Sequence, residues 1–378
     1  MRLLLLSVFA SVAWTGAQAQ VADPVILKYQ GTLLYGKWGV VGTIQEAIKS
    51  ALVQCGQPAI DPDGLFGGGT RDGLRRLAGC PGFQSLGLGK GEANDGAITE
   101  KVWQALLAGK PLPTVQERAF TAWLMHEATD FDKAEFNFVG NGLPQPNDPS
   151  SYLTWGPYGA TVGHGHEVQE ILKAQSVTPL LSQCFGPETT EISKMLTAAD
   201  AAAGEIVRQA FIDPARRQAW KTSFACLGAQ PAVRTAYDAY AFRSNGWMKP
   251  ALSRVYQLIP GGMAGGTDTD YAFFVDVVMH MGVSNNLMTT TTQALAQRAS
   301  ALGRPLTAAE RRQTIGQTFV AALGNQVEDR RGRNVLYYID GVGEAALSPA
   351  ETAAWRQRSG MRASDFGLRD LPFQPNLN

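Results

Sequence analysis

The sequence is poor in charged residues, in cysteine and in long apolar runs. Charged residues make up 17% of its 378 residues, and 33 basic side chains balance 33 acidic ones, so the formal net charge is zero. A neutral chain lacks the long-range attraction that draws basic proteins to nucleic acid or to anionic membranes, and we expect no nucleic-acid partner. Hydrophobic residues reach 45%, which excludes a disordered chain and provides for large buried cores.

The N-terminus has the pattern of an export signal. Arg2 is followed by an apolar run at 3–13 and by Ala-Gln-Ala at 17–19. A run of about 11 residues is too short to cross a bilayer, and no later run is long and apolar enough. We therefore expect cleavage after Ala19 (residues 1–19 as signal peptide), a periplasmic or secreted protein, and no membrane anchor. An oxidising compartment suits two disulfide bonds, and the candidates are Cys55, Cys80, Cys184 and Cys226.

Residues 30–109 are predicted to form a small domain of three helices. D-G-L-F-G-G-G-T at 63–70 and D-G-A-I-T at 95–99 each precede an amphipathic segment. In both, Asp-Gly predicts a tight turn, and the threonine, Thr70 or Thr99, predicts a helix N-cap. Another helix is predicted over 44–52 from its apolar spacing. The proline-containing segment at 109–113 cannot continue a helix and predicts a linker.

These motifs resemble the peptidoglycan-binding domain of bacterial wall hydrolases, which has a leading helix with glutamine followed by two D-G turns. The resemblance implies that this domain binds peptidoglycan glycan strands. Cys55 and Cys80 flank the first turn, where a bond between them would brace the loop, although the sequence leaves three pairings of the four cysteines open. A three-helix spacer that binds no ligand is the alternative.

Residues 114–350 are predicted to form a second, helical domain, followed by a C-terminal tail at 351–378. Thr114 and Glu117 have the spacing of a capping box, so a helix is expected to begin at Val115. Glu127 falls on the apolar side of this helix. Burial raises the pKa of a carboxyl group, and a carboxyl group that keeps its proton can act as a general acid. A glutamate at the edge of the stripe, held by an arginine, is the alternative.

A glycine-rich segment at 154–166 predicts a tight hairpin, with a helix directly after it. We expect the hairpin glycines to let a polymer approach the backbone. T-V-G-H-G-H at 161–166 fits the T-x-G-x-G-H hairpin of phage-type lysozymes, in which a glutamate ends an early helix. The chain thus resembles the lysozyme superfamily, and its helical body resembles that of chitosanases.

The resemblance implies roles for particular residues. Glu127 corresponds to the proton donor, Thr161 to the hydroxyl that orients water or sugar, and His166 to a residue that braces the hairpin. Glu135 is the second carboxylate, either as a base for water or as the rival donor, because an insertion at 140–149 separates Glu127 from the hairpin. The expected substrate contacts are Trp155, Tyr158, His164 and His166.

The rest of the chain predicts further helices and internal ion pairs. Helices are expected over 191–210, 216–227 and 271–280, with Cys184 and Cys226 placed to tie the first two together, and a second capping box opens with Thr307. Asp276 and His280 are expected to be satisfied polar groups of the core. The arginines at 330–333 either clamp the wall polymer or, as we favour, form a structural ion network.

The predicted fold is mainly α: a three-helix peptidoglycan-binding-like domain, then a lysozyme-like helical domain with a short β-hairpin. The predicted function is a glycosidase that cleaves peptidoglycan strands by general acid catalysis, with no metal or cofactor. A chitosanase-like glycosidase is the runner-up, and cleavage to an anhydro sugar stays open. Two other classes remain, a non-catalytic wall-binding protein and a zinc hydrolase that uses His164 and His166.

Overall fold

The structure, a computed structural model, describes residues 23–127, 129–323, 326–342 and 344–377. The predicted signal peptide at 1–19 lies outside the described residues. Most of the described chain is helical, which confirms the prediction of a mainly α protein. Within the described ranges, no helix combines the length and the apolar character needed to span a membrane.

The N-terminal part combines short strands with helices. Its elements are β1 (Val25–Lys28), β2 (Leu34–Tyr35), α1 (Val40–Gln54), β3 (Leu65–Phe66), α2 (Gly68–Leu77), α3 (Gly91–Asn94), β4 (Ala97–Thr99) and α4 (Glu100–Leu106). β1 pairs with β4 and β2 pairs with β3, both antiparallel. The three helices predicted for this region are thus present, as α1, α2 and α4.

The two predicted threonine caps have different outcomes. Thr99 caps α4, because its hydroxyl accepts a hydrogen bond from the backbone N–H of Val102 at 3.4 Å. The prediction for Thr70 is wrong: α2 already begins at Gly68, so Thr70 lies within its first turn. The hydroxyl of Thr70 instead accepts a hydrogen bond from Nε2 of Gln45 at 2.9 Å.

Gln45 of α1 holds the first Asp-Gly turn. Besides Thr70, its Nε2 lies 3.0 Å from Asp63 Oδ1 and 3.0 Å from the carbonyl oxygen of Leu65. Its Oε1 accepts a hydrogen bond from the N–H of Gly64 at 2.7 Å. Gln45 is 1% exposed, so these contacts replace hydrogen bonds to water. The Cys55–Cys80 disulfide bond closes the segment that contains this turn.

We expect Gln45→Leu to lower the free energy of unfolding by about 2–4 kcal/mol, because the Gly64 N–H and the Thr70 hydroxyl lose their buried partner. Chemical denaturation of this variant and of Gln54→Leu, at an exposed position of the same helix, measures the effect. Equal stability of the two variants would show that other contacts hold the turn.

The second part is a helical body with a small sheet. Its elements are α5 (Val115–Glu127), β5 (Ala134–Phe136), β6 (Phe138–Val139), β7 (Leu143–Pro144), β8 (Ser151–Trp155), β9 (Ala160–Gly163), α6 (Glu167–Lys173), α7 (Leu180–Phe185), α8 (Thr189–Thr197), α9 (Asp200–Ile212), α10 (Pro214–Gly228), α11 (Pro231–Phe242), α12 (Met248–Val255), α13 (Asp268–Met281), α14 (Asn285–Leu302), α15 (Ala308–Ala321), α16 (Val327–Val342) and α17 (Pro349–Arg358). The main sheet has the antiparallel order β5-β8-β9, and β8 and β9 form the predicted hairpin.

Local sequence signals set several of these boundaries. α5 begins at Val115 as predicted, because the Thr114 N–H donates to Glu117 Oε2 at 2.8 Å and the Glu117 N–H donates to Thr114 Oγ1 at 3.2 Å. The second capping box is also present, at the start of α15. A disulfide bond joins Cys184 of α7 to Cys226 of α10.

The single helix predicted over 191–210 is wrong. Ala198 and Ala199 adopt extended backbone and divide this stretch into α8 and α9. The break lets the apolar faces of both helices pack into one core, with Ile192 and Met195 from α8 and Val207 from α9 fully buried there. Apolar spacing along the sequence does not reveal such a change of direction.

One apolar core joins the two parts of the chain. It contains Ile44 and Phe66 from the N-terminal part together with Phe273 of α13 and Leu336 of α16. A second core lies between the sheet and helices α6 to α11. The predicted C-terminal tail at 351–378 also packs inward, since Phe366 is among its fully buried residues. The division into domains at 30–109 and 114–350 stays a prediction.

Candidate functional site

Glu127 is the last residue of α5, and its side chain is 30% exposed. Its Oε1 accepts a hydrogen bond from Nη2 of Arg333 in α16 at 2.5 Å. A guanidinium therefore contacts this carboxylate, and the expectation of a purely apolar surrounding does not hold. The contact corresponds to the alternative of a glutamate held by an arginine. The two chain positions are brought together because α13 packs against both α5 and α16.

Arg333 belongs to a buried ion network around Asp276. Asp276 of α13 is fully buried and accepts hydrogen bonds from Arg330 and, at 3.2 Å, from Nη1 of Arg333. Burial acts to raise the pKa of Asp276, but the two guanidiniums outweigh it and hold the pKa at about 2. Asp329 completes the network, 2.9 Å from Nε of Arg333 and 3.2 Å from Nη1 of Arg358.

Two histidines adjoin this network. Nε2 of His280 lies 3.1 Å from Oδ2 of Asp329. His126 is 7% exposed, and Nε of Arg358 donates to its Nδ1 at 3.4 Å, which puts the imidazole proton on Nε2. Burial lowers the pKa of His126 to about 3. The neighbouring Asp276 acts in the opposite direction, whereas the network's arginines reinforce the effect of burial.

We expect acid to destabilise the protein through His126. Its imidazole titrates near 6.5 in the unfolded chain and at about 3 in the folded protein. Only the unfolded state binds this proton between those pH values, so the stabilisation is complete above pH 6.5 and is lost as the pH falls towards 3. At pH 4 the loss is about 3 kcal/mol.

Denaturant unfolding between pH 7 and pH 4 tests this expectation. His126→Gln should remove that part of the pH dependence, while His164→Gln, at an exposed histidine, should leave it unchanged. A His126→Gln variant with the same pH profile as the native protein would contradict the assignment.

The exposed face of the sheet carries a row of polar side chains. Glu135 pairs with Thr154 across β5 and β8, and Thr154 pairs with Thr161 across β8 and β9. Cross-strand partners point to the same face, so the three side chains lie side by side. Glu135 is ion-paired with Lys221 at 2.8 Å. Because α5 ends at Glu127, Glu135 is not an extension of the same helix.

Thr161 contacts a carboxylate that the sequence does not single out. Its Oγ1 donates to Oε2 of Glu167 at 2.6 Å, and its backbone N–H donates to the same oxygen at 3.0 Å. Glu167 is half-buried and is the first residue of α6, a position at which any helix favours an acidic residue. That preference is the only signal in the sequence, and it does not distinguish a functional carboxylate from an ordinary one.

The hairpin glycines make room for the chain's own groups. A Cβ at Gly163 would lie 1.9 Å from the carbonyl oxygen of Ser150, and a Cβ at Gly165 would lie 2.0 Å from Oε1 of Glu167. The structure thus gives a different reason for these glycines than the expected approach of a polymer. Gly165 allows the Glu167 carboxylate to fold back over β9 and reach Thr161.

The two predicted aromatic contacts lie in different surroundings. Trp155 is 0% exposed, and its Nε1 donates to the carbonyl oxygen of Phe131 at 2.8 Å. The prediction that Trp155 binds substrate is therefore wrong, because a large apolar ring on the inward face of β8 belongs to the core. Tyr158, in the hairpin turn, is half-buried and lines a cavity that also contains Trp38.

The two hairpin histidines have separate partners. Nδ1 of His164 lies 4.0 Å from Asp148, and Nε2 of His166 lies 3.0 Å from Asp200. The second contact joins the end of the hairpin to the start of α9, in keeping with the bracing role implied for His166. In the described ranges, no group of three or more His, Cys, Asp or Glu side chains could hold a metal ion, so the zinc hypothesis finds no third ligand there.

No protein-family model, curated protein or solved structure matches this chain. The geometry of the site offers a solvent-reachable carboxylate held by an arginine, Glu127, and a second carboxylate hydrogen-bonded to a threonine, Glu167. Hydrogen-bond donors thus hold both carboxylates in defined positions.

Proposed function

We propose that this protein is a glycosidase that cleaves peptidoglycan glycan strands, with Glu127 as the general acid. The observation that supports this most is the placement of Glu127 at the end of α5, where solvent still reaches its carboxylate and Arg333, itself bound to the buried Asp276, holds that carboxylate in one position. The ion pair of Glu127 with Arg333 fixes Oε1. An adjacent guanidinium favours the ionised form of a carboxyl group, so the acid role requires that the bound strand weaken this ion pair before Oε2 can give a proton to the glycosidic oxygen.

The second catalytic carboxylate in this proposal is Glu167. It is the carboxylate in contact with the Thr161 hydroxyl, which we assign to orient the attacking water. Glu135, the residue expected from the sequence, forms an ion pair with Lys221, and the Thr161 hydroxyl bonds Glu167 rather than Glu135. Glycosidases use two carboxyl groups, one as acid and the other as base or nucleophile. We assign the first role to Glu127 and the second to Glu167.

The N-terminal part would hold the polymer beside this site. It shares an apolar core with α13 and α16, so a bound strand would stay at a fixed position relative to Glu127 and would not swing on a linker. The Cys55–Cys80 and Cys184–Cys226 bonds fit a periplasmic or secreted protein, because disulfide bonds persist in oxidising compartments.

We expect Glu127→Gln to slow glycan cleavage by about 100-fold or more, because general acid catalysis contributes on that scale. Reducing ends released from purified peptidoglycan and from chitosan measure the rate, and mass spectrometry of the products detects anhydro sugars. Glu135→Gln is the control and should stay within a few-fold of the native rate. The proposal fails if the native protein cleaves neither polymer, or if Glu127→Gln keeps the native rate.

We expect Glu167→Gln to lower kcat about 10- to 100-fold with little change in KM, because the amide can still accept the Thr161 hydrogen bond but cannot take a proton. Glu170→Gln is the matched control, since that carboxylate lies one turn further along α6 and pairs with Lys173. Similar kcat values for Glu167→Gln and Glu170→Gln would show that Glu167 is not catalytic. The test of Glu127 does not depend on that result.

A further inference from the structure

A cavity of about 360 Å³ lies where the N-terminal part meets the helical body. We call it the junction cavity. Its walls come from the loop before α1, from α5, α11 and α13, and from the hairpin turn. Four half-buried rings line it: Trp38, Phe120, Tyr158 and Phe242. Its volume falls within the range of about 300–1,000 Å³ that is typical of small-molecule sites.

The rings form a compact aromatic wall. The centroid of Tyr158 lies 5.4 Å from that of Phe120 and 5.7 Å from that of Phe242. Trp38 also lines the cavity, and its indole Nε1–H is buried and has no hydrogen-bond acceptor among the described residues. Aromatic faces attract cations and pack against apolar ring faces, and a buried donor without an acceptor is unfavourable. The cavity therefore offers both stacking surfaces and an unused donor.

Asp238 of α11 supplies the carboxylate of the junction cavity. Solvent reaches this carboxylate, yet the surrounding walls reduce its solvation and raise its pKa to about 7. Arg234, one turn earlier, acts to lower that pKa but does not compensate for the lost solvation. In the described part of the chain, Asp238 accepts no hydrogen bond and forms no ion pair, so its oxygens are available to a ligand.

Arg234 is shared among several groups and cannot neutralise the cavity. Its guanidinium lies over the Trp38 ring, 4.7 Å from the centroid, and Nη1 donates to the carbonyl oxygen of Gly228 at 2.7 Å. The same arginine faces both Asp238 and the buried Asp130, whose Oδ2 has no partner among the described residues. Glu117 also lines the cavity, but its Oε2 accepts the hydrogen bonds of the α5 capping box. Asp238 is therefore the carboxylate that a cationic ligand would meet.

We propose that the junction cavity binds a sugar unit with a free, protonated amino group. The ammonium group would contact Asp238, the sugar ring would stack on the aromatic wall of Phe120, Tyr158 and Phe242, and a ring oxygen would accept the Trp38 Nε1–H. The choice of a sugar rests on the proposed function, in which the N-terminal part holds a glycan strand. De-N-acetylated units of a glycan strand have this chemistry, whereas N-acetylated units lack the charge.

Calorimetric titration of the full-length protein tests the inference. The probes are a trimer of glucosamine and its fully N-acetylated counterpart, added to a Glu127→Gln background so that neither is consumed. We expect the free-amine trimer to bind at least about 10-fold more tightly, a difference of about 1.4 kcal/mol. Asp238→Asn should abolish this preference, and Trp38→Leu should weaken binding of both trimers by at least about 5-fold. Asp72→Asn, at an exposed aspartate of α2, should change neither affinity.

The outcomes separate this inference from the proposed function. If Asp238→Asn keeps the preference for the free-amine trimer while its thermal unfolding is native-like, the inference is overturned even where Glu127 proves catalytic. If lysine amide binds and the free-amine trimer does not, the inference is overturned as well. If no polymer is cleaved but the free-amine trimer binds through Asp238, the cavity assignment stands and the catalytic proposal does not. Trp38→Phe serves as a second variant should Trp38→Leu fail to fold.

Discussion

The buried carboxylate of Asp276 is the group on which the arrangement of the candidate site depends. It lies on α13, and the two guanidiniums that neutralise it, Arg330 and Arg333, come from α16. A charge isolated in the interior is strongly destabilising, so removal of Asp276 would leave the fully buried guanidinium of Arg330 without its carboxylate. Arg333 extends this network to Glu127, which fixes the end of α5 relative to the two central helices. The position of the proposed acid is therefore a property of three helices.

The hairpin divides its side chains between the core and the solvent. Leu153, Trp155 and Val162 point inward and are fully buried, whereas Thr154 and Thr161 occupy the alternate positions of β8 and β9. Alternation of this kind follows from the pleat of a strand. It places Trp155 in the core and leaves the threonine row accessible. Trp155, which the sequence suggested as a substrate contact, is thus a core residue. Its polar neighbours Thr154 and Thr161 lie on the other face of the sheet.

The shared core fixes the N-terminal part against the helical body, whereas a flexible module would move on its linker. A domain on a mobile linker raises the local concentration of its ligand, but it does not select one geometry. Here the loop that carries Trp38 lies against α5 and α11, and residues from both parts line the junction cavity. A strand held there would have a defined direction relative to Glu127. Binding and cleavage would then depend on one rigid surface.

The sequence by itself determined the features that arise from neighbours along the chain. The capping boxes at Thr114 and Thr307, the Thr99 cap and the hairpin before α6 were all predictable, because their hydrogen bonds join residues three or four apart or follow from glycine at a turn. The mainly helical fold followed from apolar spacing in the same way.

Tertiary structure alone decided the partners of the functional side chains. Arg333 meets Glu127 across 206 positions of sequence, Gln45 takes the Thr70 hydroxyl that was expected to cap a helix, and Trp155 becomes a core residue. These contacts depend on which faces of distant elements pack together, which is set by burial and charge over the whole molecule. A local pattern can show that a glutamate ends a helix, but only the packed helices determine which group binds it.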